Sequence, residues 1–110
     1  MPTPLPDIVS SFFEHDAVRD IDAIVSLFAD DATVIDEGET RHGTTEIRAW
    51  QTGTASKYTY TINITGTETM GPNRHLVTAR LAGNFPGGTV DLKFDFTIAG
   101  ERIVRLLIAP

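Results

Sequence analysis

Residues 20–51 read DIDAIVSLFADDATVIDEGETRHGTTEIRAWQ, and two structural periods meet in them. Ile21, Ile24, Val25 and Phe28 fall on one face at helical spacing, and Asp20 stands where an N-cap belongs. The pair Asp30-Asp31 ends that helix. Ala32, Val34 and Ile35 form an apolar run that predicts a short strand from Ala32 to Asp36. Glu37 to Arg41 reads as a polar loop. Gly43 leads into a third helix, from Thr44 or Thr45 to about Thr52, burying Ile47 and Trp50. Asp36 therefore stands at a strand end, beside whatever cavity the fold encloses.

Toward the N-terminus, Ile8, Val9, Phe12 and Phe13 make the buried stripe of a helix from Asp7 to Val18, with Asp7 as its cap. The prolines of MPTPLPDIVSS predict a short extended arm before it. Toward the C-terminus the period changes to two. Residues 57–69 place Tyr58, Tyr60, Ile62 and Ile64 on one face against threonines and Asn63. Residues 74–83 set Val77, Ala79 and Leu81 against Thr78, Arg80 and Ala82. Residues 89–98 set Leu92, Phe94, Phe96 and Ile98 against Asp91, Lys93, Asp95 and Thr97. Gly71-Pro72-Asn73, Pro86-Gly87-Gly88 and Ala99-Gly100-Glu101 are the turns, and Arg102 to Ile108 is the last strand. Three helices followed by four long antiparallel strands predict an α+β fold with helices on one side of the sheet.

At 110 residues and 41% hydrophobic content the chain supports one core, so a single domain over residues 1–110 is expected. There is no cysteine, which excludes disulfides, a thiol nucleophile and thiolate metal sites and suits a cytoplasmic location. No apolar run reaches the roughly 18 residues of a membrane span, and the N-terminus lacks signal-peptide character. The net charge is −6, concentrated in the first fifty residues, which hold eleven acids and three bases. That half repels phosphate backbones, and no basic stripe offsets it, so nucleic acid is not an expected partner. Three scattered histidines do not match zinc-ligand spacing, no phosphate loop is present, and no metal or cofactor is implied.

The segments DIDAIVSLFADDATVID, HGTTEIRAW and FTIAGERI resemble the nuclear transport factor 2-like superfamily, in its SnoaL-like and ketosteroid isomerase group. The resemblance implies a cone-shaped α+β fold: three N-terminal helices packed on a strongly curved, mostly antiparallel sheet, with a deep pocket between. It also implies a homodimer built on the sheet. The fold hosts isomerases, polyketide cyclases, epoxide hydrolases, dehydratases and non-catalytic binders, so it does not name a reaction. In ketosteroid isomerases the general base is the Asp ending the first strand, which is Asp36 here. The positions of their two oxyanion donors fall on Phe12 and Phe94, and those of the supporting tyrosines on Phe28 and Gln51. Neither phenylalanine can donate a hydrogen bond.

Asp36 is the first catalytic candidate, because a carboxylate at the edge of an apolar pocket is raised in pKa and serves as base or acid. His15, one turn beyond Phe12, is the second, set to pair with Asp36 at the pocket mouth. Phe12, Phe28, Trp50, Tyr58, Tyr60, Phe94 and Phe96 are the expected ligand-binding surface for a small apolar molecule. His42 reads as a turn residue before Gly43, and Arg80 with Asp91 or Asp95 as cross-strand surface pairs. Two functions compete with each other. One is cofactor-free proton transfer by Asp36 on a small apolar carbonyl compound. The other is binding without turnover. A sheet-face interaction module is a third.

Overall fold

The computed structural model describes residues 6–110. The arm expected at the N-terminus lies mostly outside the described residues. Helix α1 spans Asp7–Ala17, and Pro6 rather than Asp7 is the residue before its first turn. Helix α2 spans Ile21–Ser26, and Asp20 caps it by accepting from the Ala23 N–H at 3.1 Å. Strand β1 spans Phe28–Asp36 and is longer than its apolar run. Phe28 belongs to this strand and not to α2, because it pairs with Ile103 of the last strand. The register shifts between Phe28 and Thr33, around the exposed Asp30 and Asp31. The aspartates that read as a helix stop are thus a strand irregularity.

The predicted loop after Asp36 is a hairpin. Strand β2, Glu39–His42, pairs antiparallel with β1 from Thr33↔His42 to Asp36↔Glu39. Glu37 and Gly38 both have positive φ, 54° and 74°, as a two-residue type I′ turn requires. Helix α3 spans Thr44–Lys57, five residues beyond its expected end. It is entered at Gly43, whose φ of 85° suits glycine and whose N–H is bonded to the Ala32 carbonyl at 2.9 Å. Strands β3 (Tyr60–Gly71), β4 (Arg74–Gly83), β5 (Thr89–Ala99) and β6 (Arg102–Ala109) form the expected meander.

Two parts of the expected architecture need correction. The helices are not all N-terminal, since α3 follows the β1–β2 hairpin. The sheet is not a strongly curved, closing cone. It is an open six-stranded mixed sheet in the order β2-β1-β6-β5-β4-β3, with β1 and β6 parallel and β2 and β3 as edges. The parallel pair arises because the chain returns to β1 only after the meander, from the same end. Phe12 of α1 packs edge-on against Phe96, and Phe13 edge-on against Phe94 and Phe96 of β5, at 5.2–5.8 Å between ring centroids, while Phe12 meets Phe94 tilted at 6.5 Å. Val9, Ile24, Ile47, Val77 and Leu106 complete a core between the helices and one sheet face. No described helix is long and apolar enough to cross a membrane.

Candidate functional site

The helices do not cover the sheet completely. A cavity of about 410 Å³ remains between α1, α3 and strands β3–β6. Its walls are mainly apolar: Phe12, Ile62, Leu81, Val90, Leu92, Phe94 and Ile108, with Phe85 and Pro86 from the β4–β5 turn.

Asp36, the last residue of β1, lines this cavity. Trp50 on α3 donates its indole N–H to Asp36 Oδ2 at 2.9 Å. Burial pushes the Asp36 carboxyl above the ordinary aspartate range. The Trp50 hydrogen bond opposes that rise, Glu37 adds to it, and Arg41 opposes it. Arg41 also donates to the Asp36 backbone carbonyl at 2.9 Å, which ties the strand end to β2.

Asp16, not among the residues expected at the site, is a second carboxyl in the wall. It is only 3% exposed, and the Tyr60 hydroxyl donates to its Oδ2 at 3.0 Å. Burial raises its pKa, while the Tyr60 hydrogen bond and the Arg19 charge hold the rise back. The Tyr60 hydroxyl is in turn pushed well above the usual phenol range, by burial first and then by Asp16. Arg19 stacks over the Tyr60 ring with its guanidinium carbon 4.2 Å from the centroid. Gln51, 4% exposed, is a further polar wall residue. Gln51 is matched above only to a supporting-tyrosine position, and Asp16 to none, yet both carry one signal. Asp16 follows Val9, Phe12 and Phe13 in helical register, and Gln51 follows Ile47 and Trp50. A polar residue inside a buried stripe needs a partner or a use.

The structure brings together Asp36, Phe12, Trp50, Tyr58, Tyr60 and Phe94 around one cavity. Tyr58 stands at the mouth, its hydroxyl 3.5 Å from Glu37. Phe28 and Phe96 are fully buried in the core and do not line the cavity. His15 is half-buried on α1 and is likewise absent from the wall. His42 braces the entry to α3: its N–H donates to Glu46 at 2.9 Å, and its ring pairs with Thr33 at 3.1 Å. Arg80 and Asp91 face each other across β4 and β5 as an exposed pair at 2.9 Å. Asp95 is not a surface residue paired with Arg80: it is buried between Leu76 and Leu107 and bound by the Arg74 guanidinium at 2.9 and 2.6 Å. Among the described residues no three His, Cys, Asp or Glu side chains converge as metal ligands would.

A helix layer set on a mixed sheet, with an apolar cavity between them, defines an α+β cavity protein. The chain belongs to the SnoaL-like domain family, which matches residues 9–106. Its fold is the nuclear transport factor 2-like fold seen in ketosteroid isomerase-like and polyketide cyclase-like proteins. A candidate polyketide cyclase from Sinorhizobium meliloti is similar at 38% identity and a TM-score of 0.91, over 96% of this chain and 95% of that one. A ketosteroid isomerase-like protein from Catenulispora acidiphila, solved with trimethylamine, is 22% identical, with a TM-score of 0.86 over 97% and 87% of the two chains. A Mycobacterium tuberculosis protein solved with estradiol-17β-hemisuccinate is 16% identical, with a TM-score of 0.79 over 94% and 90%. The last two show the fold alone. Comparison with curated proteins finds no match.

Proposed function

We propose that this chain is a cofactor-free proton-transfer enzyme of isomerase, cyclase or lyase type, acting on small apolar carbonyl compounds with Asp36 as proton carrier. One observation carries this reading: the Asp36 carboxyl stands at the wall of an apolar cavity, bonded to the Trp50 indole and raised in pKa by burial. A carboxylate raised in this way is a better base than a solvated one. It would take a proton from the carbon next to the carbonyl, and the electron pair would move to the oxygen as an enolate. Returning the proton at another carbon isomerises the substrate; expelling a leaving group makes the reaction a lyase. Asp16, also raised and held by Tyr60, is better placed than His15 to handle a second proton. Three carboxyl residues and no Lys, Arg or His line the cavity, which disfavours an anionic substrate.

The test is exchange of the α-protons of 2-decalone in D2O, followed by proton NMR. Wild type should exchange them faster than buffer alone, and Asp36→Asn should fall to the buffer rate. A wild-type rate equal to buffer would remove the catalytic reading.

Binding without turnover is the second reading, and a specific observation favours it. The Trp50 N–H and the Tyr60 hydroxyl are both spent on carboxyl groups, not turned toward a guest. The estradiol derivative bound by the Mycobacterium tuberculosis protein agrees with a flat apolar guest at the level of the fold. A sheet-face module has less support. The exposed large apolar side chains among the described residues are Val18, Ile64 and Met70, of which only the last two share a strand.

A further inference from the structure

Gln51 is a deeply buried polar residue whose carboxamide makes no hydrogen bond among the described residues. It follows Trp50 on α3, is 4% exposed and lines the cavity. Every described side-chain nitrogen or oxygen that is fully shut off has a partner. The Gln51 carboxamide is therefore not sealed in packing; it opens on the cavity. The other buried polar groups of the wall are committed, Trp50 to Asp36 and Tyr60 to Asp16. Tyr58 and Glu37 face each other at the mouth. Thr54 and Thr89 are less buried than Gln51.

An unpaired amide in apolar surroundings is costly, and a leucine of similar volume would avoid that cost. The amide carries two N–H donors and one acceptor. The surrounding wall offers apolar contact and no cation, so a guest needs no negative charge to be held there.

The geometry points to Gln51 as the group that selects the ligand, donating an N–H to the oxygen of a neutral carbonyl compound while the apolar wall holds its hydrocarbon body. This rests on the cavity being a ligand site, as proposed above, but not on catalysis by Asp36. If Asp36 removes the α-proton, the same N–H meets an oxygen that gains charge, supplying a donor that Phe12 and Phe94 lack. Gln51 is then a specificity residue whose contact strengthens during the reaction.

The experiment uses a matched pair, 2-decalone and 2-methylenedecalin, in which C=CH2 replaces C=O. Trp50 is the only tryptophan, so quenching of its emission reports binding. By apolar area alone the methylene compound should bind more tightly. Wild type should instead prefer the ketone by about tenfold, the worth of one well-made hydrogen bond. In Gln51→Leu and in Gln51→Met the preference should vanish, with the methylene compound bound at least as well as before. Ligand-free Gln51→Leu should also melt at a higher temperature than wild type.

A ketone preference that survives in both variants would overturn the assignment. So would a Gln51→Leu protein that melts lower, since the amide would then be serving the fold. Wild type that binds neither compound would overturn the ligand site itself and this role with it. Loss of proton exchange in Asp36→Asn with the ketone preference intact supports both assignments separately. Exchange absent from wild type, with the preference present, removes the enzyme and keeps Gln51.

Discussion

The Trp50 indole N–H and the Asp36 carboxylate meet at 2.9 Å, joining the middle of α3 to the end of β1 at the cavity wall. The bond favours the ionised carboxyl, while burial opposes it. Because Trp50 is the only tryptophan, its emission should titrate with Asp36, with a midpoint above that of an ordinary aspartate. Asp36→Asn should flatten the curve. A wild-type emission that does not change between about pH 4 and about pH 8 would deny the coupling.

Trp50→Phe keeps a ring in the wall and removes the donor. The Asp36 carboxyl should rise further, so the exchange rate of 2-decalone should climb at higher pH than in wild type. At neutral pH the variant should lose about 1–2 kcal/mol of stability, the cost of a missing partner at a part-buried charge. An unmoved pH profile would show that the indole does not act on Asp36.

Asp16 and Asp36 are raised above their unfolded value of 3.8. Their neutral forms favour the fold fully below that value, and this contribution is lost as the pH rises through the folded pKa. Asp91 and Asp95, lowered by Arg80 and Arg74, run the other way: their contribution is present above 3.8 and lost as the pH falls through the folded pKa. Asp16→Asn keeps an acceptor for Tyr60 and cannot ionise. Its melting temperature relative to wild type should improve as the pH rises above the unfolded value and level off beyond the folded pKa. Tyr60 and Arg19 face the same group, so Tyr60→Phe in the Asn background serves as a control. A difference that is constant with pH would refute the assignment.

Wild type should isomerise a Δ5-ketosteroid slowly. Phe12 and Phe94 stand in the wall without donors, and each oxyanion donor is worth about 10²–10³ in rate. Phe12→Tyr should raise the rate if its hydroxyl clears the Phe13, Phe28 and Phe96 rings around it and reaches the cavity. Rapid turnover by wild type would mean that Gln51 or another donor already suffices.

Gly83 pairs with Tyr60 at the end of β4. A Cβ there would collide with the Thr59 carbonyl oxygen and stand 2.7 Å from the Tyr60 Cβ. Gly83→Ala should cost about 1–3 kcal/mol and weaken ligand binding by shifting Tyr60. Gly53, inside α3, has open space around it, and Gly53→Ala should stabilise the protein by about 0.5–1 kcal/mol. Urea unfolding of the two variants checks both signs.

Several features are legible in the sequence alone. The alternations at 74–83 and 89–98 named the strands and the faces that became buried, because a period of two leaves no choice once one side is apolar. Asp20 capped its helix, Asp36 ended its strand, and Arg80 met Asp91 across the sheet. Those outcomes depend on neighbours close in sequence or on strict periodicity. Others depend on contacts far along the chain. Phe28 left its helical pattern because Ile103 offered a strand partner, and Glu39–His42 became a strand because β1 lay beside it. The open mixed sheet came from the return of β6 to β1. The wall of the cavity followed from that packing. Local pattern marked most of the buried apolar residues, though Ile64 of the apolar face is exposed and Asp95 of the polar face is buried; only the tertiary arrangement decided whether burial meant core, as for Phe28 and Phe96, or a polar wall, as for Asp16 and Gln51, because a void is a property of how elements meet and not of any one of them.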